Sequence, residues 1–230
     1  MSVDVRLGIL LRQLKLPTVL SNYQKLAAEA SGSGQGYAEY LLALLDMELD
    51  RREVNGRKRR ISEAHFPVKH MLDEFDFQAV PSLNQAKVLQ LAGGEYIKRH
   101  ENIALIGSIG TGKTHIAIAL GMSACQQGYK VRFYTAAGLI NELLEASESH
   151  RLSRLESYLM KYQLIICQLR RHGGCFLDEL GFVPFSQTVA QMLFNFISQR
   201  YQQGFPPLGR EWLIDSDIQS GFCGMDGGVW

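Results

Sequence analysis

Gly107-Ser108-Ile109-Gly110-Thr111-Gly112-Lys113-Thr114 is the stretch of the 230-residue chain that decides its fold. It satisfies the phosphate-binding loop pattern G-x-x-x-x-G-K-[ST] at every fixed position. The short apolar run 102–106 before it is typical of a buried parallel strand. The alanine-rich run 115–125 after it contains no proline and is typical of a buried helix. The sequence therefore predicts a strand, a phosphate-binding loop and a helix, which is the context that the pattern requires.

Each residue type in this loop has a physical reason. Glycines let the chain curl so that successive backbone N–H groups point toward one anion. The start of the following helix adds the positive end of its dipole. We predict that the loop binds a nucleoside triphosphate, with Lys113 on the β- and γ-phosphates and Thr114 as a ligand of Mg²⁺. The alternative is a glycine-rich turn that happens to carry Lys-Thr. The predicted cofactor-binding residues are Gly107, Ser108, Ile109, Gly110, Thr111, Gly112, Lys113 and Thr114.

Length and composition narrow the class of protein. A chain of 230 residues holds one domain of good size and a small accessory region. The net charge of +1 means that any affinity for nucleic acid must come from local clusters of charge. No apolar run approaches the length that crosses a membrane, and the N-terminus has no signal-peptide pattern. The four cysteines form no C-x-x-C pair, so we expect a cytoplasmic protein with reduced thiols and no membrane contact.

The first 62 residues predict a small helical module. Residues 4–29 are typical of two helices broken at Leu16-Pro17, because proline disfavours the helical conformation in the residue before it. Residues 31–36 predict a flexible connector, and a third helix follows over residues 37–60. Apolar residues at helical spacing predict the buried sides of these helices. They are Val5, Ile9, Leu10 and Leu14 in the first helix, Leu20, Tyr23, Leu26 and Ala27 in the second, and Leu41, Leu44, Leu45 and Leu49 in the third.

The third helix ends in a basic run, residues 51–60, with six basic residues and one acid. One interpretation is contact with the phosphate backbone of double-stranded DNA, which depends on salt and is largely blind to sequence. The other is a solvated helix face whose charge is partly offset by Glu48 and Asp50. The predicted DNA-binding residues are Arg51, Arg52, Arg57, Lys58, Arg59 and Arg60.

Residues 63–204 predict an α/β nucleotide-binding core. A linker over 61–83 carries Phe75 and Phe77, which either anchor it against the core or lie near a nucleotide base. A helix over 82–99, with Ser82 as its cap, leads into the strand before the loop. After the loop helix, residues 130–134 predict a strand, and Thr135 caps the next helix. Strands that alternate with helices predict a parallel sheet with helices on both faces.

A P-loop ATPase also needs an apolar strand that ends in acidic residues. Two segments compete for this role. Residues 164–167 have the apolar strand pattern but lack the acids, whereas residues 175–180 contain Asp178 and Glu179 on a short apolar run. We predict that Asp178 joins Thr114 at Mg²⁺, and that Glu179 and Lys113 are catalytic. The alternative is an exposed acidic pair in a loop.

The chain resembles the IstB family, the ATP-binding helper proteins of a bacterial insertion-sequence transposon group, which are similar to DnaC-type helicase loaders. The resemblance covers about residues 3–204. It implies an AAA+ P-loop ATPase that uses ATP and Mg²⁺, forms a homo-oligomer on duplex DNA and works with the transposase of the same element. The stretches that carry it are LKLPTVLSNYQKLAAEA, FDF, PSLN, ENIALIGSIGTGKTHIAIALG, VRFYTAAGLINELLEA and LDELGFVPFSQ.

The chain departs from the family pattern in two places. The family runs directly from the apolar strand into Asp-Glu, whereas here residues 168–174 and a second apolar run separate residues 164–167 from Asp178. Residues 205–230 form a tail without periodicity or family pattern, which we interpret as a frame change followed by early termination. Displaced acids impair catalysis more than binding, so we expect ATP binding with weakened hydrolysis. The open alternatives are a helicase loader with the same core, and a relic that binds nucleotide or DNA without turnover.

Overall fold

The computed structural model describes residues 2–107, 110–168 and 212–215. The chain divides into two compact units, Met1–Arg59 and Arg60–Trp230. The helices of the first unit are α1 Val3–Gln13, α2 Pro17–Ser33 and most of α3 Tyr37–Glu63. The second unit contains short 3-10 turns at Leu72–Glu74 and Phe77–Ala79, helices α4 Gln85–Ala92, α5 Glu95–Lys98, α6 Lys113–Gln126, α7 Ala136–Glu148 and α8 Leu152–Leu159, and strands β1 Ile103–Ile106, β2 Val131–Thr135, β3 Leu164–Gln168 and β4 Trp212–Asp215.

The predicted break between the first two helices is confirmed, because α2 begins at Pro17. Proline is well suited to a first helical position, where its missing N–H costs no hydrogen bond. The predicted connector over 31–36 is wrong in extent, since α2 continues to Ser33. It ends at Gly34, whose φ of 68° is in the left-handed region that glycine adopts without strain.

The core of the first unit is smaller than the apolar pattern predicted. Its buried residues are Leu11, Val19 and Leu44, with Leu20, Tyr23 and Leu26 partly buried against them. Seven residues predicted to be buried are between 41% and 65% exposed, and they are Val5, Ile9, Leu10, Leu14, Leu41, Leu45 and Leu49. Three helices in a small unit enclose only the side chains that face their common centre, so periodicity overestimates the buried set.

A buried carboxylate joins α3 to the start of α2. Glu48 is 3% exposed, and its Oε2 accepts a hydrogen bond of 2.8 Å from the backbone N–H of Thr18. Its Oε1 accepts a bond of 2.9 Å from Arg52 Nε, and Arg52 also donates to the carbonyl of Lys15. Burial raises the pKa of Glu48, but the hydrogen bonds from Thr18 and Arg52 outweigh burial, and the pKa lies below its usual value. The carboxylate is therefore held in its charged form.

Helix α6 lies at the centre of the second unit. Its buried side contributes residues to two core clusters, together with Val88, Val131 and Phe133. A Cβ on Gly121 would lie 2.6 Å from Ile166 Cδ1 and 2.9 Å from the ring of Phe66. A side chain at this position would have to displace Ile166 and Phe66, so glycine lets α6 approach β3 without that rearrangement.

The described strands pair in parallel. β2 pairs with β3 in a register that places Val131 beside Leu164 and Thr135 beside Gln168. β1 pairs with β4, with Ile106 beside Asp215. The predicted α/β P-loop class with a parallel sheet and a helical N-terminal region is confirmed. Strand β4 lies in the tail for which we predicted no pattern. Four residues are too few to show periodicity, and pairing with β1 supplies their backbone hydrogen bonds.

The predicted helix over 82–99 is wrong as a single element. The structure has α4 and α5 with a break at Gly93-Gly94, and Gly94 has a φ of 77°. The cap of α4 is Asn84 rather than Ser82, because Asn84 Oδ1 accepts a bond of 3.0 Å from the N–H of Lys87. Among the described residues, no helix is long and apolar enough to cross a membrane.

Candidate nucleotide-binding site

The phosphate-binding loop follows β1 and leads into α6, as the sequence predicted. Gly110 and Gly112 have φ values of 88° and 81°, a region that side chains disfavour. Gly112 is the residue immediately before the first turn of α6. The loop therefore turns so that the N-terminus of a 14-residue helix faces the carboxyl end of a parallel strand. Ser108 and Ile109 of the predicted set lie outside the described residues.

Lys113 lies against its own loop. Its Nζ donates a hydrogen bond of 2.6 Å to the carbonyl of Gly107 and one of 3.1 Å to Thr111 Oγ1. These contacts reach the first and the fifth of the eight residues of the loop, and the side chain is half-buried. The ammonium group is thus held at the mouth of the loop beside the start of α6, where positive charge favours an anion.

Thr114, the next residue, contacts a side chain that the sequence did not single out. Gln168 Nε2 donates a hydrogen bond of 2.7 Å to Thr114 Oγ1. Gln168 is the last residue of β3, and its Oε1 is buried without a hydrogen-bond partner in the described part of the chain. One signal was available in the sequence, because Gln168 directly follows the apolar run 164–167, at the position where an acid was expected.

The predicted acidic residues Asp178 and Glu179 lie outside the described residues, so their roles stay predictions. The strand pattern predicted for residues 164–167 is confirmed, since β3 covers Leu164–Gln168. The described chain therefore places a neutral amide, rather than a carboxylate, next to Thr114 at the end of β3.

The linker before β1 packs beside the loop. Phe75 belongs to the border of the main core cluster, and a Cβ on Gly112 would lie 2.5 Å from its ring. Its ring also makes edge contacts with Phe77 and His115, at centroid distances of 4.9 and 5.2 Å. Of the two roles considered for these aromatic residues, the structure supports the first, because both pack against the core cluster.

One group of potential metal ligands lies in this region. Ligand atoms of His70, Glu74 and His115 lie within 4.8 Å of one another. The two imidazole rings are stacked, however, with centroids 4.1 Å apart and planes 14° apart. His115 Nε2 already bonds to the carbonyl of Met71, and Glu74 accepts from the N–H of the same residue. An imidazole binds a metal in the plane of its ring, so two stacked rings do not point at one ion, and we interpret the group as packing.

The basic run divides into two kinds of residue. Arg52 binds Glu48 and Lys15 within the first unit, and Arg60 Nε donates a bond of 2.8 Å to the carbonyl of Cys125 within the second. These two side chains have structural roles. Arg57 lies 3.7 Å from Glu53 in an exposed pair, which contributes little to stability. Arg51, Lys58 and Arg59 are exposed, and their contact with DNA stays a prediction.

These features define the class of protein. A parallel strand, a glycine-bent loop closed by its lysine, and a helix with threonine in its first turn form a P-loop nucleotide-binding site in an α/β fold. Residues 9–205 match the family model described as IstB-like ATP binding protein, and the chain belongs to this family. The family suspected from the sequence is therefore confirmed.

Relatives of known name agree with this assignment. The chain is 32% identical over 197 residues to a Pseudomonas aeruginosa protein of insertion sequence IS21 named for ATP binding, covering 86% of this chain and 71% of the relative. It is 33% identical to an insertion-sequence protein of Sinorhizobium fredii named in the same way, covering 87% of this chain and 64% of the relative. It is 32% identical to one from insertion sequence IS5376 of Geobacillus stearothermophilus, covering 83% and 72%. The chain thus matches about two thirds of the length of each relative.

Proposed function

We propose that this chain binds ATP through residues 107–114 and serves as the ATP-binding helper protein of an insertion sequence. The observation that carries the proposal is the loop itself, in which Lys113 and the start of α6 face the carboxyl end of β1. Ligands of open α/β sheets bind at this end of the strands. The names of the relatives, which join ATP binding to insertion sequences, support the biological setting.

A bound triphosphate would replace the hydrogen bonds that Lys113 makes within the loop. Lys113 Nζ now bonds to Gly107 and Thr111, and phosphate oxygens would replace these acceptors with charged ones, which bind more strongly. Thr114 would supply its hydroxyl to Mg²⁺. Lys113 and the glycines fit the binding of a triphosphate, because they combine a cation with the backbone N–H groups of a helix N-terminus.

ATP binding is tested by titrating the purified chain with ATP in a calorimeter. Lys113→Ala removes charge-assisted bonds worth about 1.5–3 kcal/mol, so we expect affinity to fall about 10- to 100-fold. Lys98→Ala is the matched control, since Lys98 is an exposed lysine paired with Glu95 on α5, and it should bind ATP as the unchanged chain does. Equal affinity in both variants would show that the loop does not hold the nucleotide.

Double-stranded DNA is the proposed macromolecular ligand, with the exposed part of the basic run as its contact. Arg51 and Lys58 are exposed on α3 and share one face, because residues seven apart are two turns apart. Arg52 and Arg60 are excluded from this contact set, since both side chains are used within the protein. Binding through such residues would be electrostatic and sensitive to salt.

The DNA proposal is tested by measuring duplex affinity across a range of salt concentrations. Arg51→Ala with Lys58→Ala should reduce the slope of log affinity against log salt by about 2, one for each lost phosphate contact. Lys25→Ala is the control, because Lys25 is exposed on α2 and pairs with Glu29. An unchanged slope in the double variant would place the DNA contact elsewhere.

The transposase of the same element and further copies of this chain are the proposed protein partners. The family membership and the insertion-sequence names of the relatives support this proposal. Light scattering with ATP and duplex DNA tests self-assembly, and co-purification with the transposase of the same element tests the partnership. A chain that stays monomeric and retains no transposase under these conditions would refute both.

A further inference from the structure

We propose that Gln168 faces the metal position of the nucleotide site, and that its neutral amide makes ATP binding nearly independent of Mg²⁺. The proposal rests on the ATP binding proposed above. It differs from the sequence-based prediction, which gave this position to Asp178.

The contact between Gln168 and Thr114 is part of a longer packing interface between α6 and β3. Thr114 lies two helical turns before Gly121, so the two residues share a face of α6. Ile166 and Gln168 share a face of β3, because side chains of a strand alternate. Along this interface, Gly121 packs against Ile166, and Thr114 accepts a hydrogen bond from Gln168. Close packing at Gly121 therefore brings the end of β3 within hydrogen-bond distance of the loop helix.

The direction of the hydrogen bond matters for metal binding. Gln168 donates its N–H to Thr114 Oγ1, and this bond occupies one of the two lone pairs of the hydroxyl, which leaves one for a magnesium ion. A carboxylate at the same place has no hydrogen to donate when ionised, so it would accept the hydroxyl hydrogen and leave both lone pairs to the ion. The amide thus makes Thr114 a weaker ligand of Mg²⁺, whereas an acid would assist it.

The carbonyl oxygen of the Gln168 amide also indicates that this side chain faces a ligand position. Gln168 Oε1 is buried and has no partner in the described part of the chain, although buried acceptors are nearly always bonded. A water molecule of a hydrated magnesium ion could donate to this oxygen, but a neutral acceptor holds such a water less strongly than a carboxylate does. Among the described residues, the end of β3 therefore offers the metal position a neutral amide in place of a charged carboxylate.

The test compares ATP affinity in the presence of a metal chelator and in excess Mg²⁺, for the full chain and for Gln168→Glu. The unchanged chain should bind ATP with similar affinity in both conditions. Gln168→Glu should reverse this behaviour. Without Mg²⁺ its carboxylate repels the triphosphate and weakens binding, and with Mg²⁺ the affinity should rise about tenfold, the difference between charged and neutral hydrogen bonds. Gln168→Asp serves the same purpose if the glutamate variant does not fold.

Two results would overturn the proposal. One is strong dependence of ATP affinity on Mg²⁺ in the unchanged chain, and loss of this dependence in Asp178→Asn would assign the metal position to Asp178. The other is a folded Gln168→Glu variant whose affinity responds to Mg²⁺ no more than the unchanged chain does. Lys113→Ala distinguishes these failures from failure of the proposed function. If the unchanged chain binds ATP no better than Lys113→Ala in either condition, ATP binding at the loop is refuted as a whole.

Discussion

Replacing Gly121 with alanine tests the packing that connects the core to the nucleotide site. The added methyl would lie 2.6 Å from Ile166 Cδ1 and 2.9 Å from the ring of Phe66. Alanine in place of glycine inside a helix normally contributes about 1 kcal/mol to stability. Overpacking a core costs about 1–3 kcal/mol. The costs exceed the gain, so we expect a net loss of about 1 kcal/mol in the free energy of unfolding.

Thermal unfolding followed by circular dichroism measures this effect. A loss of 1 kcal/mol lowers the Tm by roughly 2–4 °C in a unit of this size. Gly8→Ala is the matched control, because Gly8 lies inside α1 and its Cβ would only reach Leu20 Cδ1 at 3.8 Å. This control should gain stability. If Gly121→Ala gains as much stability as Gly8→Ala, α6 and β3 do not pack as closely as described, and close packing at Gly121 does not bring Gln168 to Thr114.

Two further predictions concern the polar contacts that hold each unit. Glu48→Gln should lower the stability of the first unit by about 1 kcal/mol at pH 7, because it removes the charge from the bonds with Thr18 and Arg52. Folding lowers the pKa of Glu48 from 4.5. The stabilisation by its carboxylate is therefore present above pH 4.5 and is lost as the pH falls through the folded pKa. The free energy of unfolding, measured with urea, should thus change less with pH in Glu48→Gln than in the unchanged chain. Thr135→Ala should cost about 1 kcal/mol in thermal unfolding, since Thr135 Oγ1 caps α7 by accepting from the N–H of Gly138.

Each of these variants has a control on an exposed residue. Glu39 is exposed in the first turn of α3, and Glu39→Gln keeps an oxygen that accepts from the N–H of Gly36, so it should change the stability at pH 7 less than Glu48→Gln does. Ser157→Ala removes a hydroxyl that bonds within α8 to the carbonyl of Ser153, and it should cost no stability. A Glu48→Gln chain that loses stability in acid as steeply as the unchanged chain would contradict the assignment of this acid-dependent loss to Glu48. Equal stability of Thr135→Ala and Ser157→Ala would contradict the capping role.

The nucleotide loop could be predicted because its properties are local. Gly110, Gly112 and Lys113 act through backbone conformation and a cation only a few residues away, and a short pattern records these requirements completely. The cap at Thr135 was predictable for the same reason, since its partner lies three residues further along the chain. Local hydrogen bonds and glycine conformations depend on sequence spacing, which is visible without a fold.

The exposed leucines of α3 show where periodicity fails. Leu41 and Leu45 repeat at helical spacing, but each is at least 41% exposed, whereas Glu48 is 3% exposed. Periodicity identifies an apolar side of a helix but does not tell how much neighbouring surface is available to cover it. The buried carboxylate of Glu48 is stable because Arg52 and Thr18 both donate hydrogen bonds to it. Arg52 lies one turn further along the same helix, a spacing that the sequence shows. Thr18 comes from another helix of the unit, and its contact has no signature in the sequence.

The amino-acid sequence by itself determined that this chain has a P-loop in an α/β fold and belongs with the IstB-like proteins, because those properties depend on short patterns of residue type. The tertiary structure alone decided which residue meets Thr114. Gln168 and Thr114 are far apart in the chain, and only the parallel pairing of β2 with β3 and the close contact of α6 at Gly121 bring them within 2.7 Å. A hydrogen bond between distant residues depends on the packing of whole elements, and no spacing in the sequence encodes it.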